Sequence, residues 1–147
     1  MENKSFLLTR TYEAPLELVW KAITEKEQLK QWYFDFSEGF KLELGSTFFW
    51  SGCDHDGKKF MHKGEMLEII ENKKLVHSWE YPDYSGTSVV TWELSKIDDN
   101  TTQLDFKHEF IVPFDPSEPS LRRESFVEGW THILTISLVD YLKNKNN

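Results

Sequence analysis

The sequence predicts an α+β domain in which an antiparallel sheet packs against a long C-terminal helix. Apolar residues recur at every second position over much of 40–110, and they recur with helical spacing before and after that stretch. The 147 residues contain no internal repeat and no linker rich in Gly, Ser or Pro, so one domain is expected over 1–147. Strands grouped beside segregated helices are typical of a layered α+β fold, because the apolar face of the sheet must be covered.

A first strand and two short helices are predicted before the main run of strands. Residues 6–12 are rich in strand formers, and Pro15 suits the first turn of a helix. Thr24, followed by Glu27 three positions later, has the form of a capping box and is expected to begin a second helix over 25–33. The first helix carries one apolar stripe at positions i, i+3, i+4 and i+7. Its members are Leu16, Val19, Trp20 and Ile23.

A meander of six strands is predicted to follow these helices. Its first strand is expected over 40–44, and a tight link at Gly45 leads to the second over 47–51. Turn signals at 56–57, 71–74 and 98–100 separate the later strands. The residues expected to face inward are Phe40, Leu42, Leu44, Phe48, Trp50, Leu75, His77, Trp79, Tyr81, Val90, Trp92, Leu94, Leu104, Phe106, His108 and Phe110.

The strand predicted over 59–70 has two possible facings. Two apolar sets compete for the core, and a slip of one residue would exchange them. One set is Phe60, Met66 and Ile70, and the other is Met61, Leu67 and Ile69.

A long amphipathic helix is predicted over 119–143, after a segment rich in proline. It is the only predicted element long enough to cover the sheet. The last residues, 144–147, are expected to form a flexible polar tail. The apolar stripe of the helix consists of Phe126, Trp130, Ile133, Leu134, Ser137, Tyr141 and Leu142.

Charge and cysteine content exclude several classes of function. The formal net charge of −8 argues against binding to nucleic acid or to anionic membranes. A single cysteine, Cys53, excludes an internal disulfide and a cysteine-rich zinc site. No secretory signal is expected, and no apolar run approaches the roughly 20 residues of a membrane helix. A reduced, cytoplasmic protein without membrane insertion is therefore predicted.

The high aromatic content is the most unusual feature of the composition. Six Trp, five Tyr and eleven Phe make up 15% of the chain, and many of them fall on inward positions. They fill a packed core or line a pocket, and the sequence leaves both interpretations open. If a pocket exists, the residues expected to bind a ligand are Trp50, His77, Trp79, Trp92, Phe106, His108, Phe110, Phe126 and Trp130.

His77 and His108 stand at apolar positions of their strands, so both are expected to point inward. A buried imidazole needs hydrogen-bond partners. Each is therefore a satisfied core histidine or a polar anchor for a ligand, and acid–base catalysis by either also remains possible.

Metal binding, nucleophilic catalysis and phosphate binding find little support in the sequence. The five histidines lack the i, i+4 spacing of a helical metal site, and no carboxylate shares the inward face of the strands that carry His77 and His108. The segment 54–57 fits a hairpin turn better than a calcium loop. No nucleophile elbow or phosphate-binding loop is present. No metal and no cofactor are expected.

Several short motifs, taken together, resemble the START-like helix-grip superfamily (SRPBCC, the birch-pollen-allergen fold). Within it, the chain is similar to domains homologous to the C-terminal part of the activator of the ninety-kilodalton heat-shock protein's ATPase. The resemblance runs from about residue 8 to 143. The motifs are Ala14-Pro15, Val19-Trp20-Lys21-Ala22-Ile23-Thr24, Leu29, Trp32, Gly64-Glu65-Met66-Leu67-Glu68, Leu75-Val76, Trp79, Val90-Thr91-Trp92-Glu93-Leu94, Thr101-Thr102, Leu104, Gly129-Trp130 and Leu134.

The resemblance implies a curved sheet wrapped around the C-terminal helix, with a cavity between them. Members of the superfamily bind hydrophobic ligands, and some are cyclases or hydrolases. The leading hypothesis is a non-catalytic domain that binds a small hydrophobic or aromatic molecule. The alternatives are a chaperone-associated interaction module and an enzyme of polyketide-cyclase type. Aromatic loops at 34–37 and 81–87 would border the mouth of the cavity.

Overall fold

The computed structural model of the protein describes residues 5–34, 36, 39–53 and 57–145. It shows a six-stranded antiparallel sheet covered by helices. The predicted α+β class is therefore confirmed. No helix in these ranges is long and apolar enough to cross a membrane. In chain order the elements are β1 (Phe6–Tyr12), α1 (Leu16–Thr24), α2 (Lys26–Trp32), β2 (Thr47–Cys53), β3 (Lys59–Ile70), β4 (Lys74–Trp79), β5 (Thr87–Asp98), β6 (Thr101–Val112), a 3₁₀ turn (Pro119–Leu121), α3 (Arg123–His132), a π segment (Ile133–Ser137) and α4 (Leu138–Lys145).

The strand order is β1-β6-β5-β4-β3-β2, so the first and the last strand of the chain are neighbours in the sheet. From β2 to β6 each strand pairs with the next one along the chain. The first strand instead pairs with the last, and Phe6 lies opposite His108 while Tyr12 lies opposite Thr102. The Thr102 hydroxyl then donates to the carbonyl of Ala14 at 2.8 Å, which ties the start of the helical segment to the sheet.

The predicted strand over 40–44 is absent, so the meander has five strands and not six. Phe40 is buried, but Leu42 is exposed and Leu44 retains 68% of its accessible surface. The end of this segment bonds to β3, where the Gly45 amide donates to the Met66 carbonyl and the Met66 amide donates to the Ser46 carbonyl. Alternation alone does not make a strand, because a strand also needs a neighbour for its backbone hydrogen bonds.

A bulge in β3 explains why its facing was ambiguous. Phe60, His62 and Met66 are buried on the first part of the strand, whereas Leu67 is exposed. The register with β4 shifts between Met66 and Glu68, so one extra residue enters the strand at this point. Beyond it, Ile69 packs against the core and Ile70 is exposed. Neither predicted apolar set therefore faces inward as a whole.

The predicted capping box at the start of α2 is wrong. The Thr24 hydroxyl donates instead to the carbonyl of Trp20 at 2.6 Å, one turn back in α1. Glu25 is the residue that precedes α2, and its carboxylate accepts a hydrogen bond from the Gln28 side chain at 2.8 Å. The helix is also one residue shorter at each end than predicted, because Lys26–Trp32 replaces 25–33.

The C-terminal helical segment confirms the predicted cover but differs in detail. Its regular part begins at Arg123, after a separate 3₁₀ turn, and continues through Lys145. Two residues of the expected tail are thus helical, and 146–147 lie outside the described residues. At the hairpin predicted for 56–57, Gly57 has the positive φ of +82° that such a turn requires, and Asp56 lies outside the described residues.

The π segment keeps the buried side of this helix in line with the sheet. Along this helix a buried side chain recurs at every fourth residue. Four residues of an α-helix rotate by about 400°, so each successive buried side chain would point about 40° further around the helix axis. A segment with i→i+5 hydrogen bonds winds less tightly, so it offsets this drift. The buried residues are Phe126, Trp130, Leu134, Leu138 and Leu142.

Candidate functional site

A cleft of about 530 Å³ opens between the C-terminal helix and the strand ends of β2, β3 and β4. Half of its sixteen lining residues carry an aromatic or imidazole ring, Glu128 is its one carboxylate, and its volume lies in the range of small-molecule sites. A second hollow of about 720 Å³ lies between α2 and α4, and its lining includes the charged side chains of Lys30, Asp140 and Lys145. The first cleft is the better fit for an apolar molecule. Its aromatic and imidazole lining is Phe34, Phe60, His62, Trp79, Tyr81, Phe126, Trp130 and His132.

The structure places three of the nine predicted ligand-binding residues on this cleft. They are Trp79, Phe126 and Trp130. The other six do not line the cleft, and five of them are buried in the core while Phe110 is partly buried. These six residues are Trp50, His77, Trp92, Phe106, His108 and Phe110.

His77 is held by hydrogen bonds through both of its ring nitrogens. The indole N–H of Trp92 donates to His77 Nε2 at 3.2 Å, so this nitrogen carries no proton. The protonated Nδ1 donates to the carbonyl of Ser78 at 3.0 Å. Burial lowers the pKa of His77 to about 4, against the partial opposition of the Ser78 carbonyl. His77 is thus neutral near pH 7 and has no ring nitrogen left for a ligand.

His108 belongs to a chain of hydrogen bonds that joins the helix to the sheet. The indole N–H of Trp130 donates to His108 Nδ1 at 3.1 Å. His108 Nε2 therefore carries the proton and donates to the Ser88 hydroxyl at 2.8 Å, which in turn donates to the Trp79 carbonyl at 2.7 Å. Burial, and secondarily the nearby His77, lower the pKa of His108 to about 3. Both inward histidines fit the interpretation as satisfied core residues.

His62 is a cleft residue that the sequence analysis did not single out. Its Nδ1 donates to the Phe60 carbonyl at 3.0 Å, and its ring stacks on Trp50 with centroids 4.9 Å apart. Burial lowers the pKa of His62 to about 4, although the carbonyls of Phe60 and Trp50 act in the opposite direction. The alternation of Phe60, His62 and Met66 was the available signal, and the uncertain facing of this strand obscured it.

Tyr81 and Phe34 are not among the nine predicted residues, but both belong to the aromatic loops at 34–37 and 81–87 that were expected to border the mouth of the cavity. Asp35 and Ser37 of the first loop lie outside the described residues. The Tyr81 hydroxyl accepts a hydrogen bond from the Trp79 indole at 2.8 Å, which fixes both rings on the sheet side of the cleft. Phe34 approaches from the loop after α2 and packs within 5.8 Å of the His62 ring. The remaining wall residues missed by the sequence analysis include Gly52, Cys53, Leu121, Gly129 and Ile133.

A charged pair lies beside Phe60, outside the lining of the cleft. The Lys58 ammonium group bonds to the Glu118 carboxylate and lies 5.4 Å from the Phe60 ring centroid. The hydrogen bond from Glu118 raises the pKa of Lys58. Glu118 also accepts the backbone N–H of Ser120, so this pair connects the start of β3 to the 3₁₀ turn.

The chain matches one family model and resembles many solved structures. The family model described as "Activator of Hsp90 ATPase homolog 1-like protein" matches residues 13–143. No curated protein sequence matches the chain significantly.

Solved structures resemble the chain over nearly its whole length. CV1439 from Chromobacterium violaceum aligns with a TM-score of 0.79 and 20% identity, covering 97% of this chain and 98% of that one. An HSP90 activator from Plasmodium falciparum aligns with a TM-score of 0.70 and 26% identity, covering 88% and 89%. CalU16 from Micromonospora echinospora aligns with a TM-score of 0.71 and 25% identity, covering 94% and 75%. These likenesses confirm the predicted curved sheet and long C-terminal helix.

Proposed function

This chain belongs to the family of activator of Hsp90 ATPase homolog 1-like proteins, which have the START-like helix-grip fold, and from that premise we propose that it binds a small apolar or aromatic molecule in the cleft. The observation that carries the proposal is the aromatic wall of a cleft of about 530 Å³. Burial of apolar ligand surface against such a wall contributes roughly 25 cal/mol per Å² before the costs of association.

The arrangement of the wall favours a molecule with ring systems. Trp79 and Trp130 meet at an angle of 64° with centroids 5.2 Å apart, so they form two sides of a corner. Phe126 and Tyr81 extend the helix side and the sheet side of this corner. Aromatic rings packed at such angles accept a further ring in edge or offset contact.

The same geometry supports a binding role in preference to catalysis. His77 and His108 were the two candidates for acid–base chemistry, and each uses both ring nitrogens inside the core. A general acid or base must reach the reacting atom within hydrogen-bond distance. Neither histidine offers an atom to the cleft, so the enzyme hypothesis gains no support from them. A cytoplasmic location remains a prediction.

Filling the cleft from Gly129 is expected to weaken ligand binding. Gly129 lies on the helix side of the wall, and a Cβ built there meets no heavy atom within 4 Å. The Cβ of a leucine at this position thus meets open space, and its side chain should extend into the cleft. For the neutral fluorescent dye N-phenyl-1-naphthylamine, Gly129→Leu should raise the dissociation constant by about tenfold or more, which corresponds to about 1.4 kcal/mol.

Two matched variants control for side effects of this substitution. Gly129→Ala adds a single methyl group and should keep the dissociation constant within about twofold of wild type, a difference of about 0.4 kcal/mol. Lys143→Leu adds the same side chain at an exposed position of α4 and should leave dye binding unchanged. Undiminished binding in Gly129→Leu would show that the dye binds elsewhere and would contradict the proposal.

A chaperone-associated interaction module is the second candidate function. The likeness to the HSP90 activator from Plasmodium falciparum, at 26% identity over 88% of this chain, is the observation that favours it. The purified domain should then be retained by an immobilised ninety-kilodalton heat-shock protein and should raise its rate of ATP hydrolysis. Failure of both measurements would remove this candidate and leave ligand binding untouched.

A further inference from the structure

Two buried hydrogen-bond donors lack a partner within the described part of the chain. They are the indole N–H of Trp50 and the phenol O–H of Tyr33. Every other buried side-chain nitrogen or oxygen in the same ranges has a partner, including those of His77 and His108. Native proteins retain few unpaired buried groups, since each forfeits its hydrogen bond to water. Two such donors in one region therefore point to an acceptor that arrives from outside.

Trp50 lies directly behind the wall of the cleft. Its side chain is 3% exposed, and its ring stacks on His62 with centroids 4.9 Å apart. Trp79 crosses it at 76° with a centroid distance of 5.1 Å, and Phe34 lies at 6.3 Å. His62, Trp79 and Phe34 all line the cleft. The ring that carries the unpaired indole N–H thus packs against three residues of the cleft wall.

Tyr33 packs against the same wall, and it also lines the hollow between α2 and α4. Its ring lies 4.5 Å from Phe34 and 5.7 Å from Trp130, both of which line the cleft. Burial raises the pKa of Tyr33 well above its ordinary value, so its hydroxyl remains protonated and able to donate. Tyr33 also reaches Trp92 deeper in the core.

Phe34 is the wall residue that contacts both donor-bearing rings. It is only partly buried, and its ring lies over Gly52, where a Cβ would come within 2.9 Å of it. The missing side chain at position 52 makes the space that this ring occupies. A rotation of Phe34 about its own χ angles would open a path from the cleft toward Trp50 and Tyr33.

We infer that the ligand is a neutral aromatic carbonyl compound whose acceptor oxygens take the N–H of Trp50 and the O–H of Tyr33 once Phe34 turns aside. A plain hydrocarbon would leave both donors unpaired. A carboxylate is disfavoured because neither Lys nor Arg is among the residues that line the cleft, and a buried charge without a partner is costly. The inference rests on the proposed function and adds the chemical class of the ligand.

A pair of test compounds isolates the carbonyl group. Fluorene and 9-fluorenone share one planar three-ring skeleton, and they differ by a methylene in place of the carbonyl. Their dissociation constants are measured by quenching of tryptophan fluorescence in wild type and in Tyr33→Phe. Wild type should bind 9-fluorenone about fivefold more tightly than fluorene, which corresponds to about 1 kcal/mol. Tyr33→Phe should reduce this preference while leaving the affinity for fluorene unchanged.

A measurement without ligand tests the unpaired state of the hydroxyl itself. Tyr33→Phe removes only that oxygen, so its melting temperature should rise by about 3 °C. Tyr81→Phe is the matched control, because the Tyr81 hydroxyl accepts a hydrogen bond from Trp79 and its removal should lower the melting temperature. Trp50→Phe deletes the second donor, and it too should diminish the preference for 9-fluorenone.

The outcomes separate this inference from the proposal on which it rests. Equal affinity of wild type for the two compounds would overturn the inference and leave the proposed binding function standing. An undiminished preference in Tyr33→Phe would overturn the role of its hydroxyl. Failure of wild type to bind either compound would contradict both the inference and the proposed function for aromatic ligands of this size.

Discussion

Lowering the pH from 7 to 5 is expected to reduce the free energy of unfolding of this domain by about 6 kcal/mol, because three buried histidines contribute about 2 kcal/mol each. His62 and His77 have a pKa of about 4 in the folded protein, and His108 has a pKa of about 3. Small domains are stable by about 5–15 kcal/mol, so the domain should approach acid unfolding near pH 5 or slightly below.

The sign of this dependence follows from where the protons bind. Well above pH 6.5 the three imidazoles are neutral in both states, so their contribution does not change with pH. Below pH 6.5 the unfolded chain takes up protons that the folded core refuses, and stability falls. The loss levels off only when the pH falls below the folded pKa values of about 3 to 4.

Urea unfolding at pH 7, 6 and 5 measures this effect directly. Near pH 5.5 the free energy of unfolding should change by about 4 kcal/mol per pH unit, the value for about three protons. His132→Gln, at an exposed position of α3, serves as the control for loss of an imidazole outside the core. A free energy of unfolding that stays constant over this range would refute the neutral, buried state of the three histidines.

Replacing Trp130 by alanine is expected to destabilise the domain by about 3–5 kcal/mol at pH 7. The Trp130 side chain is 2% exposed, and its ring lies 4.2 Å from Phe106 and 5.2 Å from Trp79. The substitution leaves a cavity between helix and sheet. It also leaves His108 Nδ1 without its donor, which adds the cost of an unpaired buried acceptor.

Two further variants separate these contributions in urea unfolding. Trp130→Phe keeps a ring but removes the N–H, so its cost should be intermediate. Phe49 lies on the outer face of β2 and is 39% exposed, and Phe49→Ala should cost less than about 1 kcal/mol. A loss in Trp130→Ala no larger than that in Phe49→Ala would mean that the helix does not depend on this contact.

The sequence predicted the strands whose two faces differ clearly in polarity. His77, Val90 and Phe106 all occupy inward positions as the alternation indicated, because one face of the sheet is covered by helices. The failure at 40–44 has a physical cause, since Leu44 alternates correctly but no neighbouring strand pairs with it. Pairing partners are distant in sequence and cannot be read from local periodicity.

The candidate site was less predictable than the fold. Trp50 and His108 face inward as predicted, but neither lines the cleft. Whether an inward residue reaches the cleft depends on its position along the core. That position depends on the curvature of the sheet and on the path of the last helix. His62 was hidden by the bulge in β3, and Tyr33 sits at the end of α2, where periodicity carries little information.

The pairing of β1 with β6 has a consequence for synthesis of the chain on the ribosome. Phe6 emerges well before His108, its partner, and Trp130 follows later still. Until then the nascent chain exposes an unpaired strand and the apolar face of an uncovered sheet, a state prone to aggregation. Folding of this domain therefore completes only after the last helix has been made, and truncation before that helix leaves a chain that cannot close its core.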